Sequence, residues 1–151
     1  MQKARKIVIT SGYWNPLHVG HINLFREAKA LGDFLVVIVN NDEQVKFKGS
    51  VPFMSEAERL EIIKAIKYVD DAFLSIDNYA GDNVPISESL RTIAQKYVGD
   101  EIIFAKGGDR NFDNLPEMEK AVCKEFNVKV VSNVGGNKVQ SSSWLLSAVK
   151  E

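Results

Sequence analysis

Cysteine, histidine and net charge are all scarce in this sequence of 151 residues, which holds Cys123, His18 and His21 and sets 19 Lys and Arg against 20 Asp and Glu. A lone cysteine closes no internal disulfide, and two histidines without a further Cys, His and carboxylate pattern do not make a zinc site. A formal charge of -1 supplies no broad cationic field for gripping a nucleic-acid backbone, so any nucleotide bound is expected to be small. Long apolar runs are also missing. The most apolar stretch, Phe34 to Val39, is far shorter than the ~20 residues a helix needs to cross a bilayer. The first residues do not combine a basic region with an apolar run as a secretory leader does. These absences imply a cytoplasmic protein with no membrane and no nucleic-acid partner. Repeats, linkers and low-complexity tracts are absent as well.

What is present is apolar content of 45%, enough for one substantial core in a chain too short for two, so residues 1–151 are read as one domain. Lys6 to Thr10 is a β-branched run, followed by an irregular segment and then helix-compatible sequence from Val19, with Gly32 placed as a left-handed cap. A second strand spans Phe34 to Asn40, and the polar stretch Asn41 to Met54 reads as a mobile loop. Ser55 to Glu58 has capping-box spacing ahead of a helix, and a third strand lies near Ala72 to Ile76. A turn-rich segment, Asn78 to Pro85, leads to a helix over Ser87 to Tyr97, a strand over Glu101 to Lys106 and a helix over Pro116 to Phe126. A fifth strand, Lys129 to Val134, and a helix after Ser141 complete the alternation.

This order implies the α/β class: a Rossmann-like, doubly wound, parallel five-stranded sheet in a single domain, with helices on both faces, because right-handed crossovers place them there. Ligands of such sheets bind at the carboxyl ends of the strands. The polar segments Gly12 to His21, Lys46 to Lys48, Gly107 to Arg110 and Lys138 to Ser143 each follow an expected strand, so they should converge on one site.

His18 and His21 fall three residues apart in His-Val-Gly-His, on one side of a nascent helical turn that Gly20 keeps open. A helix N-terminus attracts anions, and two imidazoles beside it suit a triphosphate. A histidine pair that merely caps the helix is the competing reading of this tetrapeptide.

The run Gly12-Tyr-Trp-Asn-Pro-Leu-His-Val-Gly-His21 resembles the strand-loop-helix signature of the cytidylyltransferase-like nucleotidyltransferase superfamily. Asn40 to Lys48, the Glu58-Arg59 pair, Lys106-Gly-Gly-Asp109 and Ser141-Ser-Ser143 are similar to further family segments in their usual order. The resemblance implies transfer of a nucleoside monophosphate from an NTP, taken up with Mg²⁺, to a small phosphorylated metabolite, with loss of pyrophosphate and commonly in a homodimer. It implies catalytic roles for His18, His21 and Lys46, and acceptor contacts for Lys46, Lys48 and Arg59. It places the nucleotide against Thr10, Ser11, Gly12, Tyr13, Gly20, Lys106, Gly107, Gly108, Asp109, Ser141, Ser142 and Ser143, and it assigns no metal ligand. Lys46 and Lys48 read equally as a solvated basic loop, and Arg59 equally as a partner of Glu56 or Glu58.

The branches of the family are signalled unevenly. Lys106-Gly-Gly-Asp109 resembles heptose-phosphate adenylyltransferases and so ATP, whereas the short length resembles glycerol-3-phosphate cytidylyltransferases and so CTP. The expectation is therefore CMP or AMP transfer to a small phosphorylated alcohol or sugar. The alternative within the family is a heptose-phosphate or other cofactor-precursor adenylyltransferase, flavin included, although the cofactor-precursor enzymes match the lysine loop and the Gly-Gly-Asp segment less well. Asn15 stands where cytidylyltransferases commonly have Asp, and Lys138 where other members have Arg. A nucleotide-binding regulatory module without turnover is the alternative from another class.

Overall fold

The structure is a computed structural model that describes residues 4–78, 85–108, 110–136 and 140–149. Strands β1 (Lys6–Gly12), β2 (Phe34–Val39), β3 (Asp71–Leu74), β4 (Glu101–Ala105) and β5 (Lys129–Val131) form one parallel sheet in the order β3-β2-β1-β4-β5. Ile7 lies opposite both Phe34 and Ile102, which sets β1 at the centre. The chain steps outward from β1 to β3 and then returns to β4 on the other side of β1. That reversal opens a crevice at the carboxyl ends of β1 and β4.

Alternation along β1 feeds two cores. Ile7 and Ile9 join Val36, Ile38 and Phe104 on one face, under Leu90 and Ile93 of α4 (Ser87–Lys96) and Val122 of α5 (Glu117–Phe126). Val8 joins Leu35, Val37 and Ile103 on the other, under Phe25 of α1 (Val19–Ala30) and Ile63 of α3 (Glu56–Lys64). Because both faces are covered, the strands read as continuous apolar runs, and each fully buried Ile, Leu or Phe contributes about 1.5–3 kcal/mol. Among the described residues no helix is long and apolar enough to cross a membrane.

Local differences from the sequence reading have physical causes. The stretch read as a loop contains a further helix, α2 (Asp42–Phe47), started by a capping box in which Asn41 Oδ1 accepts the Gln44 N–H and Gln44 Oε1 accepts the Asn41 N–H, each at 2.9 Å. α1 ends at Leu31 in a right-handed conformation, not in a left-handed Gly32 cap. Gly32 is needed because a Cβ there would stand 2.7 Å from the Lys6 carbonyl oxygen. β3 and β5 stop earlier than expected, although Ser75 N–H still donates to Val39 O and Val134 N–H to Lys106 O. Ser55 does cap α3, accepting the Glu58 N–H at 3.2 Å. In the turn-rich segment, residues 79–84 lie outside the described residues. The C-terminal helix α6 (Ser142–Ala148) follows the Gly135-Gly136 turn.

Candidate active site

The loop leaving β1 is pinned from below. The buried Trp14, at φ 53°, donates its indole N–H to Ile38 O at 3.1 Å. Gly12 makes room for that ring, since a Cβ on it would lie 2.7 Å from the indole carbons. Asn15 Oδ1 accepts the N–H groups of Phe53 at 2.6 Å and Met54 at 3.3 Å, while its amide donates to Val51 O at 2.8 Å. An aspartate could make the first two bonds but not the third, so the departure at Asn15 has a local cause.

His18 is the N-cap of α1. Its Nδ1 accepts the Gly20 N–H at 3.0 Å, and His21 Nδ1 accepts the His18 N–H at 3.2 Å, closing a capping box made of two imidazoles. The rings stack with centroids 3.7 Å apart, and His21 meets Trp14 edge-on at 4.8 Å. Acceptance at Nδ1 puts the proton of each neutral ring on Nε2. Burial, reinforced by His18, pushes His21 down to about 3, so at neutral pH it is a neutral hydrogen-bond donor. The cap uses Nδ1 of each ring and does not use Nε2. A Cβ on Gly20 would lie 2.9 Å from His18 Cε1, so a side chain at that position would push the His18 ring aside.

Two crevices flank the β1 loop. The first, about 580 Å³, is lined by Trp14, His21, Ser50 and Ser142, and a shallower extension of about 320 Å³ runs over His18, Gly20, Gly107, Gly108 and Ser141. The second, about 400 Å³, is walled by Asn40, Phe47, Lys106, Arg110 and Glu119. Ser11, Gly12, Tyr13 and Lys48 line both, so the crevices meet there.

The expected site residues separate into groups. Lys48 sits 4.3 Å from the centre of the Tyr13 ring, and desolvation followed by Arg110 lowers the pKa of its ammonium. Lys46 is exposed, pairs with Glu43 at 3.4 Å and lines neither crevice. Arg59 is 1% exposed and donates to Tyr13 O at 2.7 Å, Asn40 O at 2.6 Å, Met54 O at 3.0 Å and Asp42 Oδ1 at 2.7 Å. Four of its five N–H donors are thus held by the protein, and Arg59 joins the loops after β1 and β2 and lines none of the three crevices. Thr10 is also buried and donates to Ala105 O at 3.0 Å, tying β1 to β4.

Ser141 caps α6 by accepting the Trp144 N–H at 3.0 Å, and Ser142 donates to Pro16 O at 2.7 Å, fastening α6 to the β1 loop. Gly108 occupies the left-handed region at φ +59°. Asp109, Lys138 and the side chain of Ser143 lie outside the described residues.

Lys106, Arg110 and Glu119 form the charged wall of the second crevice beside Asn40; Asn40 and Arg110 lie in segments named from the sequence, whereas Glu119 was not singled out. Burial is the main influence on both charges: it lowers the pKa of Lys106 and raises that of Glu119, and each group partly offsets the shift of the other. Glu119 carried a legible signal, because it continues the apolar stripe of Val122, Cys123 and Phe126 on α5. Among the described residues no group of three or more His, Cys, Asp or Glu side chains could hold a metal ion.

A sequence profile of the family described as Cytidylyltransferase-like matches residues 9–144. The chain belongs to this family. Within the cytidylyltransferase-like proteins it is 38% identical over 133 residues to a FAD synthase of Thermococcus sibiricus, covering 87% of this chain and 82% of that one. It is 32% identical over 146 residues to the FAD synthase of Thermoplasma acidophilum, covering 95% and 94% of the two chains. A segment of 105 residues is 34% identical to the bifunctional protein HldE of Desulfatibacillum aliphaticivorans, covering 68% of this chain and 22% of that protein. The crystal structure of the lipopolysaccharide core biosynthesis protein from Thermoplasma volcanium superposes with a TM-score of 0.64 at 29% identity, over 85% of this chain and 96% of that one. The family and these relatives identify a nucleotidyltransferase enzyme.

Proposed function

We propose that this nucleotidyltransferase moves the adenylyl group of MgATP onto the phosphate of a small phosphorylated acceptor and releases pyrophosphate. The observation that carries this reading is the meeting of two crevices at Ser11 to Tyr13 and Lys48, one bearing the histidine pair and the other the Lys106, Arg110 and Glu119 wall. Relatives named FAD synthase support ATP as donor and make FMN one acceptor to try. The polar second crevice equally suits a sugar or polyol phosphate.

An oxygen of the acceptor phosphate attacks the α-phosphorus in line, a new O–P bond forms and the bond to the β-phosphate oxygen breaks, carrying its electrons into pyrophosphate. A phosphate dianion needs no strong base, so positioning and charge stabilisation supply the catalysis. The Nε2–H groups of His18 and His21 donate to the triphosphate as charge moves onto the leaving group. Lys48 holds the acceptor phosphate where the crevices join. The metal arrives with the triphosphate as part of the substrate.

Pyrophosphate release from ATP, CTP, GTP and UTP, each against phosphorylated alcohols, sugars and FMN, tests the proposal. Turnover with ATP and a phosphorylated acceptor is the expected result. Preference for CTP would correct the donor, and nucleotide binding with no turnover across the panel would favour a regulatory module.

A further inference from the structure

We infer that Glu119 is a specificity-determining residue of the second crevice, selecting phosphorylated acceptors that present an uncharged hydrogen-bond donor, a hydroxyl or a ring N–H, at the end away from the phosphate. The inference rests on the transfer reading above and names what its acceptor must carry.

Glu119 stands where the α5 stripe calls for an apolar residue and is 4% exposed. Burying a carboxylate is costly unless partners meet it. Its one hydrogen bond among the described residues comes from the Ile86 N–H at 3.3 Å. Capping α4 does not explain the carboxylate, because Asp77 already accepts the Glu88 N–H at 2.8 Å and the Ser89 N–H at 2.9 Å. Nor does a fixed ion pair, since among the described residues none within 4.0 Å joins Glu119 to Lys106 or Arg110, although both act on it through space. A carboxyl group has more lone pairs than one N–H fills, so Glu119 keeps acceptor capacity to spare on a crevice wall.

The same wall holds a second underused acceptor. Asn40 is 4% exposed and its Oδ1 has no partner. Asn40 Oδ1 is closed off from solvent, so the acceptor capacity open to the crevice is that of Glu119, and it calls for a donor from the occupant. Position sets the occupant's direction: Lys48 lines both crevices where they meet while Glu119 lines only the second, so a phosphate held at Lys48 leaves the donor-bearing end toward α5. Hydroxyls of a sugar or polyol phosphate and the imide N–H of a flavin both supply that chemistry.

Glu119→Gln keeps an oxygen for the Ile86 N–H while removing the charge. The expected result is a rise of roughly 10- to 100-fold in acceptor KM, with kcat falling less and the KM for ATP moving little. Paired arms identify the source: a sugar phosphate against its deoxy analogue, and FMN against an N3-methyl analogue. The variant should discriminate within the pair that matters less well than the native protein. A purely structural role predicts a lowered melting temperature with unchanged acceptor KM, and that outcome overturns the inference. Calorimetric titration of the same phosphorylated compounds without ATP separates this from failure of the transfer reading. Donor-bearing compounds should bind the native protein and bind Glu119→Gln at least about tenfold more weakly. Equal binding, or no binding by the native protein to any of them, overturns it even if no turnover is found.

Discussion

His21 Nδ1 accepts the backbone N–H of His18 at 3.2 Å, and the two rings stack 3.7 Å apart. The turn that starts α1 is therefore built by the atoms that fix the tautomer of each ring and put its proton on Nε2. His18→Asn and His21→Asn retain a capping acceptor and remove the Nε2–H donors. Each variant should lose about 10²- to 10³-fold in kcat while its unfolding free energy falls by no more than about 1 kcal/mol. Steady-state kinetics and urea unfolding check both values, and loss of cooperative folding in either variant would contradict the separation of roles.

Acid should destabilise the protein through His21. Its folded pKa is about 3 against an ordinary value of 6.5, so between those values the unfolded chain binds the extra proton. The stability tied to the neutral ring is fully present above pH 6.5 and declines as pH falls toward 3, at up to about 1.4 kcal/mol per pH unit. Between pH 7 and pH 5 the native protein should lose on the order of 1–2 kcal/mol more than His21→Asn. Parallel pH profiles for the two proteins would show that the ring titrates normally.

Arg59 should behave as a structural residue. Removing its guanidinium orphans the carbonyls of Tyr13, Asn40 and Met54 and frees Asp42, so Arg59→Ala should cost about 3–5 kcal/mol in chemical denaturation. A stable variant whose only defect is a raised acceptor KM would restore Arg59 to the acceptor site.

The two lysines of the loop should part company. Lys46→Ala removes an exposed pair with Glu43, of a kind worth at most about 1 kcal/mol, and should leave the transfer rate within about threefold. Lys48→Ala removes the charge between the crevices and should raise the acceptor KM by about tenfold or more. Initial-rate kinetics with varied acceptor decide between them, and the reverse order of effects would return the acceptor role to Lys46.

The sheet and the histidine turn were legible because each rests on local pattern: apolar runs at strand length, and two rare imidazoles beside a required glycine. α2 was hidden because six residues give too little periodicity, and its Asn41-Gln44 capping box lies in a polar stretch that reads as a loop. Arg59 shows a different limit. Its type suggests phosphate binding, but only the packed structure reveals that three carbonyls and Asp42 take four of its five donors. Glu119 lay between these cases, since a charge on the apolar stripe of α5 was visible while the crevice it faces depends on β1, β2 and β4 converging.

Label transfer tests direct adenylyl transfer most sharply. With ATP labelled at the α-phosphate in one reaction and at the γ-phosphate in another, α-label should enter the acceptor adduct and γ-label should leave in pyrophosphate. Appearance of γ-label on the acceptor, or of labelled orthophosphate as the primary product, would contradict attack at the α-phosphorus.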